Sequence, residues 1–146
     1  MFRIPLVSSV AVQFYEKEGK SLPYSFNRKE AKDHGEGGSI VGSPLNGKIL
    51  IIDDVITAGT AIRESLDVIG KNSTTAHAAG VVIALDRQEK GVGERSAIEE
   101  IKQDLKLPVV CIITLEDIIE YLTIKGGYET HLEEIRKYRE TYGINK

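Results

Sequence analysis

The run Ile49-Leu50-Ile51-Ile52-Asp53-Asp54-Val55-Ile56-Thr57-Ala58-Gly59-Thr60-Ala61 gathers residue types that can hold a phosphorylated sugar. A branched apolar stretch ends in two carboxylates, and a small, hydroxyl-bearing turn then opens a helix. A helix start offers unpaired backbone N–H groups and the positive end of the peptide dipole, both suited to a phosphate. Gly59 lets the backbone approach such a group closely, and Thr57 and Thr60 add hydroxyl donors. Asp53 and Asp54 disfavour a phosphate by charge. They suit hydroxyls that donate, as those of a ribose do, or a hydrated Mg²⁺. Phosphate donors beside diol acceptors point to a ribose 5-phosphate. Taken singly, Asp54 or Thr57 reads as a helix cap and Gly59 as a turn residue. The whole run is the informative unit, and its glycine spacing matches neither a P-loop nor a dinucleotide-binding fingerprint.

Two further groups carry chemistry. Arg28, Lys29, Lys32 and His34 place several potential cations within seven residues, in a stretch that also holds Gly35, Gly37 and Gly38. Such a group suits a diphosphate, which arginine binds in a forked geometry, and His34 can carry charge or move a proton near neutrality. Glu30, Asp33 and Glu36 offset those charges, so a solvated loop is the plain alternative. Arg87 follows the apolar run Ala78–Leu85, where a guanidinium could grip a carboxylate or a carbonyl, or simply pair with Asp86. His77 and His131 have no metal-ligand partner at useful spacing and read as surface residues. Glu133, Glu134, Arg136 and Lys137 read as a solvated helical face. Cys111 lies in an apolar run and reads as a small core residue.

These residues need a frame. Pro5 suits a helix start, with Val7, Val10, Ala11 and Phe14 at helical spacing and Gly19 as a stop. Leu22–Phe26 reads as a short extended segment. Residues 27–47 lack apolar periodicity and are too long for an ordinary structureless connection, which predicts a functional lid or disorder. Lys48–Asp53, Ala78–Leu85 and Pro108–Ile113 read as strands buried on both faces of a parallel sheet. Helices follow over Ile62–Ile69, after a Ser96/Glu99 capping box, after a Thr114/Asp117 cap, and over 129–141. Strands alternating with helices predict an α/β fold: one domain, 1–146, with a mostly parallel sheet flanked by helices on both faces. Ligands of such sheets gather at the carboxyl ends of the strands, here Asp53-Asp54, Asp86-Arg87 and Thr114.

Composition narrows the classes. The chain has 146 residues, 41% hydrophobic and 28% charged, with a formal charge of −3. That excludes a disordered or collagen-like chain, and it disfavours a non-specific nucleic-acid or anionic-membrane binder. No apolar stretch reaches the ~18 residues of a membrane span. One cysteine cannot form an intrachain disulfide, and the opening residues do not make a secretory signal, so the default expectation is cytoplasmic.

Residues 49–61 resemble the phosphoribosyl-diphosphate motif of type I phosphoribosyltransferases. The stretch Pro23-Tyr24-Ser25-Phe26-Asn27-Arg28-Lys29-Glu30-Ala31-Lys32-Asp33-His34-Gly35-Glu36-Gly37-Gly38 is similar to the mobile catalytic loop of the orotate phosphoribosyltransferase family. Ile83-Ala84-Leu85-Asp86-Arg87-Gln88-Glu89 resembles that family's orotate-side strand end, and the likeness runs from about Ile4 to the C-terminus. The resemblance implies a type I phosphoribosyltransferase-like core that transfers phosphoribosyl from 5-phosphoribosyl 1-diphosphate to orotate, giving orotidine 5′-monophosphate and diphosphate in pyrimidine biosynthesis. It implies catalytic roles for Lys29, Lys32, His34, Asp53 and Asp54. It implies phosphoribosyl-diphosphate contacts from Arg28, Lys29, Lys32, His34, Asp53, Asp54, Val55, Ile56, Thr57, Ala58, Gly59, Thr60 and Ala61, and orotate contacts from Thr57 and Arg87. It further implies Mg²⁺ held through substrate and water, and a homodimer in which the 27–38 loop serves the partner's site. Family members carry a further N-terminal region with a hood, a core strand and a diphosphate loop, each of hood and loop bringing a lysine. Its expected absence leaves a second reading, a phosphoribosyl-diphosphate or nucleotide-binding module impaired in catalysis.

Overall fold

The computed structural model describes residues 3–32, 38–93 and 95–144. Helix α1 spans Arg3–Glu18, starting two residues before the expected Pro5. Proline still falls in the first turn, where its missing N–H has no intrahelical partner to lose. Gly19, at φ +66°, ends the helix by donating its N–H to the Tyr15 carbonyl at 2.9 Å. Strands β1 (Ser25–Lys32) and β2 (Gly38–Gly42) pair antiparallel, Phe26 opposite Val41 and Asn27 opposite Ile40, with an irregularity before Lys32 meets Gly38. Much of the segment expected to lack structure is therefore a hairpin. Its first strand is mostly polar, so backbone pairing makes it and no apolar alternation announces it.

The core is a three-stranded parallel sheet in the order β3 (Lys48–Val55), β4 (His77–Asp86), β5 (Val109–Thr114). Ile51 pairs with Val81, and Val81 with Val109. Helix α2 (Thr60–Asn72) joins β3 to β4, and α3 (Ala97–Asp104) joins β4 to β5. Parallel neighbours taken in chain order, with crossovers of one hand, send both helices to the same face. There Ile51, Val81, Ile83 and Val109 pack with Ile62 and Ile69 of α2 and with Ile98 and Ile101 of α3. Ile101 is wholly buried, and Ile62, Val81 and Ile83 are 1% exposed. Helix α1 packs along β3.

The second sheet face corrects one expectation. The three apolar runs predict strands buried on both sides, yet Leu50, Val110 and Ile112 are 56, 61 and 75% exposed. Both crossover helices lie opposite these side chains, and β5 is an edge strand of the described sheet. Cys111 packs against the core but is only partly buried.

Two caps appear as expected. Ser96 Oγ accepts from Glu99 N at 3.1 Å while Glu99 Oε2 accepts from Ser96 N at 3.0 Å, opening α3. Thr114 and Asp117 form the same reciprocal box at the start of α4 (Leu115–Lys125). Helix α5 (Glu129–Tyr142) is anchored by buried Leu132, and its end meets the segment that follows β4. There Glu89 bridges Gly143, and Lys90 N donates to Tyr142 O at 2.9 Å. Among the described residues, no helix is long and apolar enough to cross a membrane.

Candidate functional site

The joint between β3 and α2 is built from its own sequence. Ile56, 6% exposed, drops into the core and pins the turn from below. Thr57, Ala58 and Thr60 stay exposed above it, and Ala61 is half-buried. Gly59 sits at φ +74°, a left-handed conformation that suits glycine, and its carbonyl receives the N–H groups of Ile62 and Arg63, each at 3.1 Å. A Cβ placed there would only touch Ile101 at 3.5 Å, so the backbone angle and not crowding calls for glycine. No side chain caps α2. With the Ile62 and Arg63 N–H groups turned back to Gly59, the N–H groups left at the mouth of this helix are those of the preceding turn, Thr60 and Ala61, beside two exposed threonines, which is the chemistry of an anion cradle.

Asp53 and Asp54 close the strand, but they differ. Strand alternation puts Asp53 on the covered face with Ile51, where it is 4% exposed, and Asp54 on the opposite face, half-buried. Each carboxylate takes the N–H of the next residue: Asp54 N donates to Asp53 Oδ1 at 3.0 Å and Val55 N to Asp54 Oδ1 at 2.9 Å. Both side chains are thereby folded toward the turn. Asp54 is the more accessible of the two acceptors.

Arg87 leaves the sheet at the same end. The register pairs Val55 with Leu85, so the chain passes from β4 to Arg87 level with the β3–α2 turn. Asp86 does not pair with Arg87. Its Oδ1 accepts from Gln88 N at 2.8 Å, and Arg87 Nε approaches Glu89 Oε1 at 2.9 Å. That Nε is buried and is not aligned with the carboxylate for a hydrogen bond, so the pairing is Coulombic. Glu89 also accepts a hydrogen bond from the Tyr138 hydroxyl on α5. Burial of the phenol, and then this bond to Glu89, push the Tyr138 pKa above its ordinary value. Gln88 lies at φ +56°, rare for a residue with a Cβ, and is held by Asp86, by Glu116 N on its Oε1 and by Ile144 N on its carbonyl. An ion pair between Arg139 and Glu116 links α5 to α4.

Of the cationic stretch, Arg28, Lys29 and Lys32 lie on β1, and His34 lies outside the described residues. His77 and His131 are exposed, as expected, and Glu133 and Lys137 form an exposed pair at 3.2 Å. Sequence reasoning missed Tyr138 and the place of Glu89. Tyr138 stands 49 residues from Glu89 and reads only as part of an amphipathic helix, so no local pattern marks it. It also missed Glu100, 5% exposed, whose carboxylate accepts from Gly93 N at 2.8 Å and Val92 N at 3.3 Å and ties down the loop after Arg87.

A parallel α/β sheet with a phosphate-suited turn at one strand end is the plan of the type I phosphoribosyltransferases. Among solved structures, orotate phosphoribosyltransferase of Francisella tularensis matches with a TM-score of 0.73 at 38% identity, covering 96% of this chain and 63% of that one. The Mycobacterium tuberculosis orotate phosphoribosyltransferase in complex with 5-phospho-α-D-ribosyl 1-diphosphate matches at a TM-score of 0.55 and 22% identity, a likeness of fold alone. A curated orotate phosphoribosyltransferase of Yersinia enterocolitica is 55% identical over 141 residues, which are 97% of this chain. Over nearly its whole length the chain is similar to orotate phosphoribosyltransferases. It spans 65% of the length of that curated relative. No protein-family model matches it.

Proposed function

We propose that the chain binds 5-phosphoribosyl 1-diphosphate at the β3–α2 joint and transfers its phosphoribosyl group to orotate, giving orotidine 5′-monophosphate and diphosphate. The observation that carries this reading is the joint itself: two carboxylates folded onto a turn whose glycine opens an uncapped helix. Val55, Ile56, Thr57, Ala58, Gly59, Thr60 and Ala61 enclose the 5′-phosphate, by backbone N–H groups and the threonine hydroxyls. Asp53 and Asp54 accept from the ribose hydroxyls and orient the sugar. Arg87, with Thr57, meets the orotate. Arg28, Lys29, Lys32 and His34 take the leaving diphosphate, and in a homodimer they do so in the partner's site. The single cysteine fits a cytoplasmic protein.

The chemistry is electrostatic. Bond breaking at the sugar carbon leaves the ribose cation-like and adds charge to the departing diphosphate. Cations placed where that charge develops lower the barrier. Closure of the cationic segment over the substrate excludes water that would hydrolyse the sugar. Among the described residues, no cluster of three or more acidic, histidine or cysteine side chains could cage a metal. Asp53 and Asp54 fit instead a hydrated Mg²⁺ that keeps its waters and is shared with the substrate. Bound so, the ion supplies neutralising charge to the diphosphate. No covalent nucleophile is required of the protein.

The test is loss of orotate ultraviolet absorbance on mixing with 5-phosphoribosyl 1-diphosphate and Mg²⁺, run beside calorimetric binding of orotidine 5′-monophosphate. Turnover supports transfer. Nucleotide binding without turnover assigns the chain to a binding module, and neither turnover nor binding refutes the reading. Lys32→Ala should lower turnover more than it lowers affinity for ribose 5-phosphate. An equal loss of both would remove Lys32 from the leaving-group side.

A further inference from the structure

We propose that Glu89 and Tyr138 form a two-part clamp that positions Arg87 for the nucleobase, with α5 as its support. The proposal rests on the reading of Arg87 as the orotate contact. Three observations carry it. The buried Nε of Arg87 lies against Glu89 without forming a hydrogen bond, so the carboxylate holds the rear of the guanidinium by charge. Among the described residues, its Nη atoms have no hydrogen-bond partner, and the side chain is 30% exposed. A planar fork is thus held from behind, with its front edge open to a carboxylate or carbonyl.

The second observation is that Glu89 is itself fixed. Tyr138 donates to the same oxygen, Oε1, that Arg87 approaches, and the Glu89 side chain is 14% exposed. A free carboxylate could fold over the front of the guanidinium and compete with an anionic base. The phenol, reaching from α5, keeps it at the rear. The third is the backbone between them. Gln88, in its left-handed conformation, reverses the chain so that Glu89 doubles back on Arg87, and Asp86 of β4, Glu116 of α4 and Ile144, just past α5, hold that turn. A strained residue held by that many partners is characteristic of a functional constraint. Glu89 also bridges Gly143 at the end of α5, which fixes the distance over which Tyr138 must reach.

The chain is titrated by calorimetry with orotidine 5′-monophosphate, which fills the phosphate and base positions, and with ribose 5-phosphate, which fills only the first. Arg87→Ala should weaken the nucleotide by roughly tenfold or more and leave ribose 5-phosphate unchanged. Glu89→Gln and Tyr138→Phe should each weaken the nucleotide by about three- to tenfold, again sparing ribose 5-phosphate. Neither should add to the loss already present in Arg87→Ala. A loss of equal size with and without Arg87, or no loss, overturns the clamp while leaving Arg87 at the base. Arg87→Ala that binds the nucleotide as well as the parent overturns the base contact itself, and the clamp with it. Retained ribose 5-phosphate affinity serves as the check that each variant is folded.

Discussion

The two strand ends that make the site are built in opposite ways. At the end of β3, the carboxylates, the turn and the helix start are contiguous, and each carboxylate is oriented by the N–H of its immediate neighbour. At the end of β4, Arg87 depends on Glu89, Glu89 on Tyr138 of α5, and the intervening turn on Glu116 and Ile144. The first region is a local device that rests on the sheet and on the core residues Ile56 and Ile101 beneath it. The second is an assembly of distant segments. A phosphate looks alike in many substrates and can be met by a fixed local cradle, whereas selection of one base calls for a side chain held at a set angle.

The largest effect should come from the local region. Asp53→Asn combined with Asp54→Asn should abolish transfer and ribose 5-phosphate binding while leaving the circular dichroism spectrum near that of the parent. Wild-type turnover in this variant would remove both carboxylates from the sugar site. Ile101→Ala should cost about 2–5 kcal/mol in chemical denaturation, since Ile101 is wholly buried and lies beneath Gly59. Little change would mean that the turn does not draw its support from the core. Glu100→Ala, which leaves the Gly93 and Val92 N–H groups without their acceptor, should cost about 1–3 kcal/mol. It should also speed hydrogen exchange at those amides, and unchanged exchange would detach the loop from Glu100.

The smallest effect separates the regions by pH. Tyr138 has its pKa raised above the usual 10.0, first by burial and then by Glu89, with Arg87 opposing and Tyr142 adding to the shift. A raised pKa means that folding favours the protonated phenol. The Tyr138 contribution is therefore whole below the usual value and is lost as pH climbs through the folded one. Denaturation midpoints taken from about pH 8 to 11 should fall more steeply for the parent than for Tyr138→Phe. Parallel curves would show that the phenol is not coupled to the fold.

The same contrast explains what could be read from the chain. The β3–α2 joint was legible because each cue lies within a few residues of the next, and so were the Ser96/Glu99 and Thr114/Asp117 boxes. The β1–β2 hairpin was not, because the strand Ser25–Lys32 is mostly polar and takes its shape from backbone pairing. The open sheet face was not, because an apolar run is silent about which side its helices take. Tyr138 was hidden for a third reason: its partner is remote in sequence, and a tyrosine on an amphipathic helix reads as packing. Only the fold brings it to Glu89.

On this reading the β3–α2 turn holds the phosphoryl group of a ribose phosphate. Amide proton–nitrogen NMR during titration with ribose 5-phosphate tests it most directly. Saturable shifts should concentrate at Thr57 to Ala61 and be abolished in the Asp53→Asn, Asp54→Asn variant. Saturable shifts centred on other residues, with those amides still, would contradict it.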